Sequence, residues 1–155
     1  MTVSFRTATE ADVPAIVAML ADDTLGQGRE DQTDLAPYLM AFRDMEAQGG
    51  NGMILAVDGN GDITGCLQLT LIPGLSRGGA LRGQIESVRV AASARGQKIG
   101  EKLIGHAIEQ AQAAGATLIQ LTSDLKRTDA IRFYERLGFV NSHAGMKLEV
   151  RREPK

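Results

Sequence analysis

Apolar and polar positions alternate from Val3 to Thr7, the period of a half-buried strand. The period then changes. Val13, Ile16, Val17 and Leu20 recur at helical spacing, which predicts an amphipathic helix over residues 10–21. Thr9 and Asp12 stand in a capping-box arrangement at its start, and Pro14 lies in its first turns. Residues 22–33 are polar and glycine-bearing and read as a loop. Asp34 can cap a second helix through Gln48, with Leu35, Leu39 and Phe42 on one face and Gly49-Gly50 as its stop. Met53–Val57 and Ile63–Ile72 read as strands around the turn sequence Asp58-Gly59-Asn60-Gly61-Asp62. Residues 73–83 read as a glycine-rich loop and Gln84–Ala92 as a strand. The longest apolar stripe (Ile99, Leu103, Ile104, Ala107, Ile108, Ala111) predicts a helix over 97–113, which Gly115 ends. A strand over Thr117–Thr122, a helix over Thr128–Leu137 stopped by Gly138, and one or two closing strands within Phe139–Val150 complete the order. This is a mixed α/β (α+β) pattern for one domain over residues 1–155, with neither repeat nor linker.

Composition narrows the function more than the fold. With 17 Lys+Arg against 19 Asp+Glu, the net charge is −2, the opposite of the balance expected of a general nucleic-acid binder. Aromatic residues are only 4%, which argues against a stacking platform for single strands. The single cysteine, Cys66, rules out an intrachain disulfide or a cysteine-based zinc site and fits a reducing compartment. The first residues lack a basic start followed by an apolar run, and no apolar stretch approaches membrane-spanning length. A cytoplasmic protein without membrane contact is expected.

The informative segment runs from Val88-Arg89-Val90 through Arg95-Gly96-Gln97-Lys98-Ile99-Gly100-Glu101 into the long helix. The first amides of a helix have no intrahelical partner, and the helix dipole is positive there. An anion such as a phosphate can take those bonds, glycine lets the backbone come close, and Arg95 adds charge. The alternative is a strand-to-helix turn that carries glycine for geometry alone. Neither the GxxxxGK[ST] nor the GxGxxG spacing is present.

Here the sequence resembles the GNAT superfamily of acetyl-CoA-dependent N-acetyltransferases. Its loop R/Q-x-x-G-x-G/A after a V-x-V strand is matched by Val88–Val90 and Arg95–Gly100. Its A-x-x-F-Y-E-x-L-G-F segment is matched by Ala130, Phe133-Tyr134-Glu135 and Leu137-Gly138-Phe139. The opening Phe5-Arg6 to Asp12 is similar too. The resemblance implies a central mixed, mostly antiparallel sheet flanked by about four helices. It also implies acetyl-CoA as cosubstrate, no metal, and transfer by direct attack of a primary amine.

What the resemblance implies residue by residue is specific. Backbone groups of Val88, Arg89 and Val90 pair with the pantetheine amides in the manner of an added strand. Amides from Gly96, Gln97, Lys98, Ile99 and Gly100 to Glu101 hold the pyrophosphate. Arg127, Ala130 and Phe133 complete the cofactor side. Tyr134, whose hydroxyl is protonated at neutral pH, donates a proton to the departing thiolate; its alternative is a core aromatic. Glu86 is the candidate general base, and period two puts it on the same side of the strand as Val88 and Val90; its alternative is an exposed strand carboxylate. Two positions depart from the family pattern. Lys98 replaces a glycine, and helical φ is the expectation there, with the side chain toward solvent or toward the phosphates. Arg127 replaces an asparagine that helps hold the pantetheine arm.

Other candidates carry less. Cys66 reads as a small core residue, His106 as a solvated helix residue, and His143 as a loop histidine or, near the acceptor, a base or substrate contact. Asp22, Asp23, Glu30, Asp31 and Asp34 cluster where their field would attract a cationic amine, or form a solvated acidic loop. The acceptor, a small molecule or a peptide amine, stays open. Two other classes compete: a non-catalytic acyl-CoA-binding regulatory module, which Tyr134 argues against, and a toxin-type acetyltransferase acting on charged tRNA, which the net charge argues against. Dimerisation is common in the family, and nothing in the sequence decides it.

Overall fold

A computed structural model describes residues 2–23 and 26–151. Two compact units divide the chain, one up to Leu121 and one from Thr122. The first holds β1 (Ser4–Thr7), α1 (Val13–Ala21), α2 (Ala36–Gln48), β2 (Asn51–Val57), β3 (Ile63–Pro73), a one-turn helix α3 (Ser76–Gly79), β4 (Leu81–Val90), α4 (Ile99–Ala113) and β5 (Ala116–Gln120). Its five strands lie in the order β1-β2-β3-β4-β5, antiparallel except for the parallel pair β4–β5. The helices flank this mixed sheet, which is the fold the resemblance implies.

Local chemistry explains most boundaries. The Asp12 carboxylate accepts the Thr9 amide at 2.8 Å and two bonds from the Arg6 guanidinium at 2.7 and 2.8 Å, so the chain entering α1 is tied to β1. Pro14 and Pro37 sit in the first turns of α1 and α2, where an absent N–H costs nothing. Asp34 serves α2 as expected, although one position outside the cap, by accepting the Ala36 amide. Asp58 closes the β2–β3 hairpin by accepting the amides of Asn60 and Asp62.

The two sheet faces are covered differently. Met53, Leu55, Val57 and Cys66 pack against Val13, Ile16, Val17 and Phe42 of α1 and α2. The other face receives α4 through Leu103, Ile104, Ala107 and Ala111, all fully buried. That helix lies close because two strand positions lack side chains. A Cβ on Gly65 would come within 3.1 Å of Ile99 Cγ2, and one on Gly83 within 3.2 Å of Ala111 Cβ, both on α4. His106 is not simply solvated: its ring stacks on Phe5 with centroids 4.5 Å apart.

The second unit contains α5 (Thr128–Arg136), stopped at Gly138. The closing strands expected within 139–150 do not form. Met146, Leu148 and Val150 alternate as a strand would, but all three are exposed, and among the described residues this unit offers no other strand to pair with. Within the expected loop 22–33, Thr24 and Leu25 lie outside the described residues.

Candidate active site

β4 is the element on which the site is built. It stays paired with β3 as far as Val90, but pairs with β5 only from Leu81 to Gln84. Beyond Gln84 its β5-facing edge has no strand neighbour among the described residues. Val88, Arg89 and Val90 therefore lie on a stretch of backbone whose edge can accept an amide-bearing ligand as a further strand. The Val88 carbonyl already accepts one bond, from the Arg89 guanidinium at 3.0 Å, and keeps a second lone pair.

From Val90 the chain turns through Ala92–Ala94, a single 3-10 turn, into α4. Gly96 has φ 82°, and a side chain there would meet nothing within 4 Å, so its backbone faces open space. Lys98, the residue before the first helical turn, has φ 59° and ψ 27°. The expectation of helical φ at Lys98 is thus overturned: the position does need the left-handed region that glycine occupies readily, and lysine adopts it under strain. Arg95 and Lys98 are both exposed beside the start of α4, where the first helical amides have no intrahelical partner. Ile99 is buried and anchors the turn, while Gly100 and Glu101 lie in the first helical turn.

Glu86 also departs from its expected placement. Gln68 pairs with Glu86, but Cys66, two residues away on β3, pairs with Arg89, three residues away on β4. The extra residue is a β-bulge, and Ser87 within it has φ 56°. The bulge reverses the alternation. Glu86 shares its face with Gln68, Cys66 and Arg89, on the α1/α2 side, while Val88 and Val90 follow the other phase. Glu86 itself is exposed. Beside it α1, α2 and the sheet enclose a cavity of about 120 Å³ lined by Val17, Tyr38, Phe42, Met53, Gln68 and Ser87. Glu86 does not itself line this cavity, but its strand partner Gln68 and its neighbour Ser87 do.

The acidic cluster near α1 is largely used within the fold. Asp23 pairs with Arg89 at 3.1 Å, both side chains being mostly buried, and Glu30 accepts the Tyr38 hydroxyl at 2.9 Å. Asp31 accepts both the amide and the hydroxyl of Thr33, which hold its pKa below the ordinary carboxylate value. Burial pushes the Cys66 thiol up to about 12, in keeping with a core residue and not a nucleophile.

In the second unit, α5 carries Ala130, Phe133 and Tyr134, with Arg127 at its N-terminal cap. The half-buried Tyr134 ring is fixed edge-to-face between Phe133, 5.2 Å away, and Phe139, 5.9 Å away. His143 is exposed and contacts Ser142 at 2.6 Å. Among the described residues no group of His, Cys, Asp and Glu is placed to hold a metal, and no helix is long and apolar enough to cross a membrane.

One set of polar residues was missed by sequence reading: Arg82, Gln84 and Gln120. Arg82, Gln84 and Glu86 alternate with Gly83 and Ile85, the signal of one polar strand face. Residues 73–83 look like a loop because of their glycines, whereas β4 begins at Leu81.

Known proteins share this architecture. A Bacillus halodurans C-125 protein whose crystal structure is described as that of a transcriptional regulator is 45% identical, over 96% of this chain and all of its own, with a TM-score of 0.91. A Trypanosoma brucei acetyltransferase structure is 27% identical over 96% of this chain and all of its own, with a TM-score of 0.76. Among curated proteins, the aminoalkylphosphonate N-acetyltransferase of Salmonella typhimurium is 40% identical over 54% of each chain. The glucosamine 6-phosphate N-acetyltransferase of Trypanosoma brucei brucei is 36% identical over 58% of this chain and 59% of its own. The match thus spans little more than half the length of these curated relatives. The model of the acetyltransferase (GNAT) family matches residues 15–139, most of the chain, and the sheet, the open β4 edge and the turn into α4 agree with it: the protein belongs to that family.

Proposed function

We propose that the protein transfers the acetyl group of acetyl-CoA to the primary amine of a small acceptor. The observation that carries this reading is the continuity of an open strand edge (Val88–Val90) with a strained, glycine-bearing turn (Arg95–Gly100) that opens a long helix. That combination complements a ligand with an amide-bearing arm followed by a pyrophosphate. Acetyl-CoA supplies the activated thioester. The chain's own residues then have separable tasks. Backbone groups of Val88, Arg89 and Val90 orient the arm, amides from Gly96 to Glu101 take the pyrophosphate, and Arg95 and Lys98 balance its charge. Arg127, Ala130 and Phe133 serve the cofactor from α5. Glu86 accepts the ammonium proton, through a water if the carboxylate is distant, and the Tyr134 hydroxyl gives a proton to the departing thiolate. The curated relatives are named for small amines that carry phosphorus, which favours a small-molecule acceptor over a peptide.

A second reading has one observation in its favour: the 45%-identical Bacillus halodurans protein is described as a transcriptional regulator. Under it the chain binds acyl-CoA and does not turn it over. One experiment separates the two. Acetyl-CoA at a hundredfold excess over Kd raises stability by ~2.7 kcal/mol under either reading. Only the enzyme then releases coenzyme A thiol with a panel of amines. Failure of millimolar acetyl-CoA to raise Tm refutes both readings; binding without thiol release across the panel leaves the regulator.

A further inference from the structure

The α1/α2 face of the sheet does not stay apolar beyond the cavity. Gln68 is followed by Thr70 on β3, and both contact Asn51 of β2: Gln68 Nε2 donates to Asn51 Oδ1 at 2.9 Å, and Thr70 lies 3.2 Å from the same oxygen. On β4 the same face carries Glu86, then Gln84, then Arg82, with Gln120 of β5 opposite Gln84. Gln120 Nε2 donates to Gln84 Oε1 at 2.7 Å. Arg82 donates to Gln120 Oε1 at 3.3 Å and to Ser76 Oγ at 3.1 Å. Arg82 and Glu86 stand two same-face steps apart on β4, or ~13 Å along the strand.

Two features of this cluster point outward to a ligand. The first is charge. Arg82 is half-buried, and among the described residues its side chain bonds only to neutral groups. A guanidinium removed from part of its water and given no carboxylate is poorly compensated. The second is direction. Gln120 Oε1, Gln84 Oε1 and Ser76 Oγ each already accept a bond from within the cluster. What remains unused is a set of donors: three of the five Arg82 N–H groups, the Gln84 amide hydrogens and the Ser76 hydroxyl. A group that presents donors alone around a planar cation matches a tetrahedral oxyanion carrying several acceptor oxygens.

We propose that Arg82, with Gln84, Gln120 and Ser76, binds a phosphate or phosphonate group on the acceptor and makes the protein selective for phosphorus-bearing amines. The proposal rests on the acetyltransferase reading for the identity of the other end of the acceptor. Two same-face steps separate the residues that would meet its two ends: Glu86 meets the ammonium while Arg82 meets the oxyanion. Gln68 and Asn51 line the strip beside them. A lysine at position 82 would keep the charge but lose the fork that also holds Gln120 and Ser76.

The test compares matched acceptors, 2-aminoethylphosphonate against propylamine and glucosamine 6-phosphate against glucosamine, with acetyl-CoA and thiol detection. Wild type is expected to favour the phosphorus-bearing member of at least one pair by ~10–100-fold in kcat/KM, the range for a charge-assisted bond. Which pair responds tells a phosphonate from a sugar phosphate. Arg82→Gln should abolish that preference through KM and leave propylamine or glucosamine turnover unchanged; Arg82→Lys, which retains a charge, should restore part of it. Separately, ethylphosphonate, which has no amine to acetylate, should raise the Tm of wild type and not that of Arg82→Gln. Equal losses on both members of a pair would make Arg82 a brace between β4, β5 and α3 and overturn the proposal. So would the absence of any preference in wild type. If no amine is acetylated at all, the acetyltransferase reading fails, and ethylphosphonate then decides the anion site alone: no Tm shift in wild type, or an equal one in the variant, overturns it.

Discussion

Lys98 offers a quantitative check on the geometry of the turn, because strain and charge can be separated there. Its φ of 59° and ψ of 27° lie in the left-handed region, which costs a residue with a Cβ about 1–2 kcal/mol. Lys98→Gly removes that strain but gives the unfolded chain more freedom, at about 0.4–1 kcal/mol. The balance is a gain of about 0.5–1 kcal/mol, or a rise in Tm of about 1–4 °C for a chain of this size. Lys98→Ala keeps the strain and removes the charge, so its stability should stay within about 0.5 kcal/mol of wild type. Urea and thermal unfolding without ligand provide these values. The affinity for acetyl-CoA, titrated at two salt concentrations, then reports the ammonium. If Lys98 meets the phosphates, both variants weaken binding by up to about fivefold, and more at low salt, as an exposed ion pair does. If Lys98→Gly proves no more stable than Lys98→Ala, the left-handed assignment is wrong, and with it the strain ascribed to this turn.

Three further outcomes are expected. Tyr134→Phe keeps the edge-to-face contacts with Phe133 and Phe139 and removes the hydroxyl, so kcat should fall by ~10²–10⁴ with acetyl-CoA affinity nearly intact; unchanged turnover assigns the proton to another donor. For Glu86→Gln, kcat/KM should drop by ~10² at neutral pH, where an amine of pKa near 10 is almost wholly protonated, and recover as pH rises; a pH profile parallel to wild type removes Glu86 from the base role. The Arg6 guanidinium lowers the Asp12 pKa from 3.8 to about 2, so this carboxylate contributes stability above pH ~4 that is lost as pH falls toward 2. Asp12→Asn should therefore cost about 1 kcal/mol at pH 7, allowing for the partial exposure of Arg6, and nothing below pH 2; an equal difference at both pH values would contradict that linkage.

Wherever a rule acts within a few residues, the sequence was sufficient. The Thr9–Asp12 box, the Asp58 turn, the apolar stripe of α4 and the glycine stops all form at or near their expected positions, because capping, turn chemistry and amphipathic burial depend on neighbours along the chain. The turn from Arg95 to Gly100 and the Phe133-Tyr134 pair were legible for the same reason. What escaped were properties set by partners distant in sequence. The alternation that puts Glu86 beside Val88 holds only for an unbroken strand, and the bulge at Ser87 is visible only in the register between β3 and β4. The polar row of Arg82, Gln84 and Gln120 exists because a parallel pairing brings β5 alongside β4. Met146, Leu148 and Val150 have the period of a strand, but a strand is completed by the hydrogen bonds of a neighbour, and periodicity along one segment does not supply one. Backbone strain at Lys98 likewise follows from the angle at which β4 must deliver the chain to α4, with Ile99 buried against the sheet, and that angle is a property of the assembled layers.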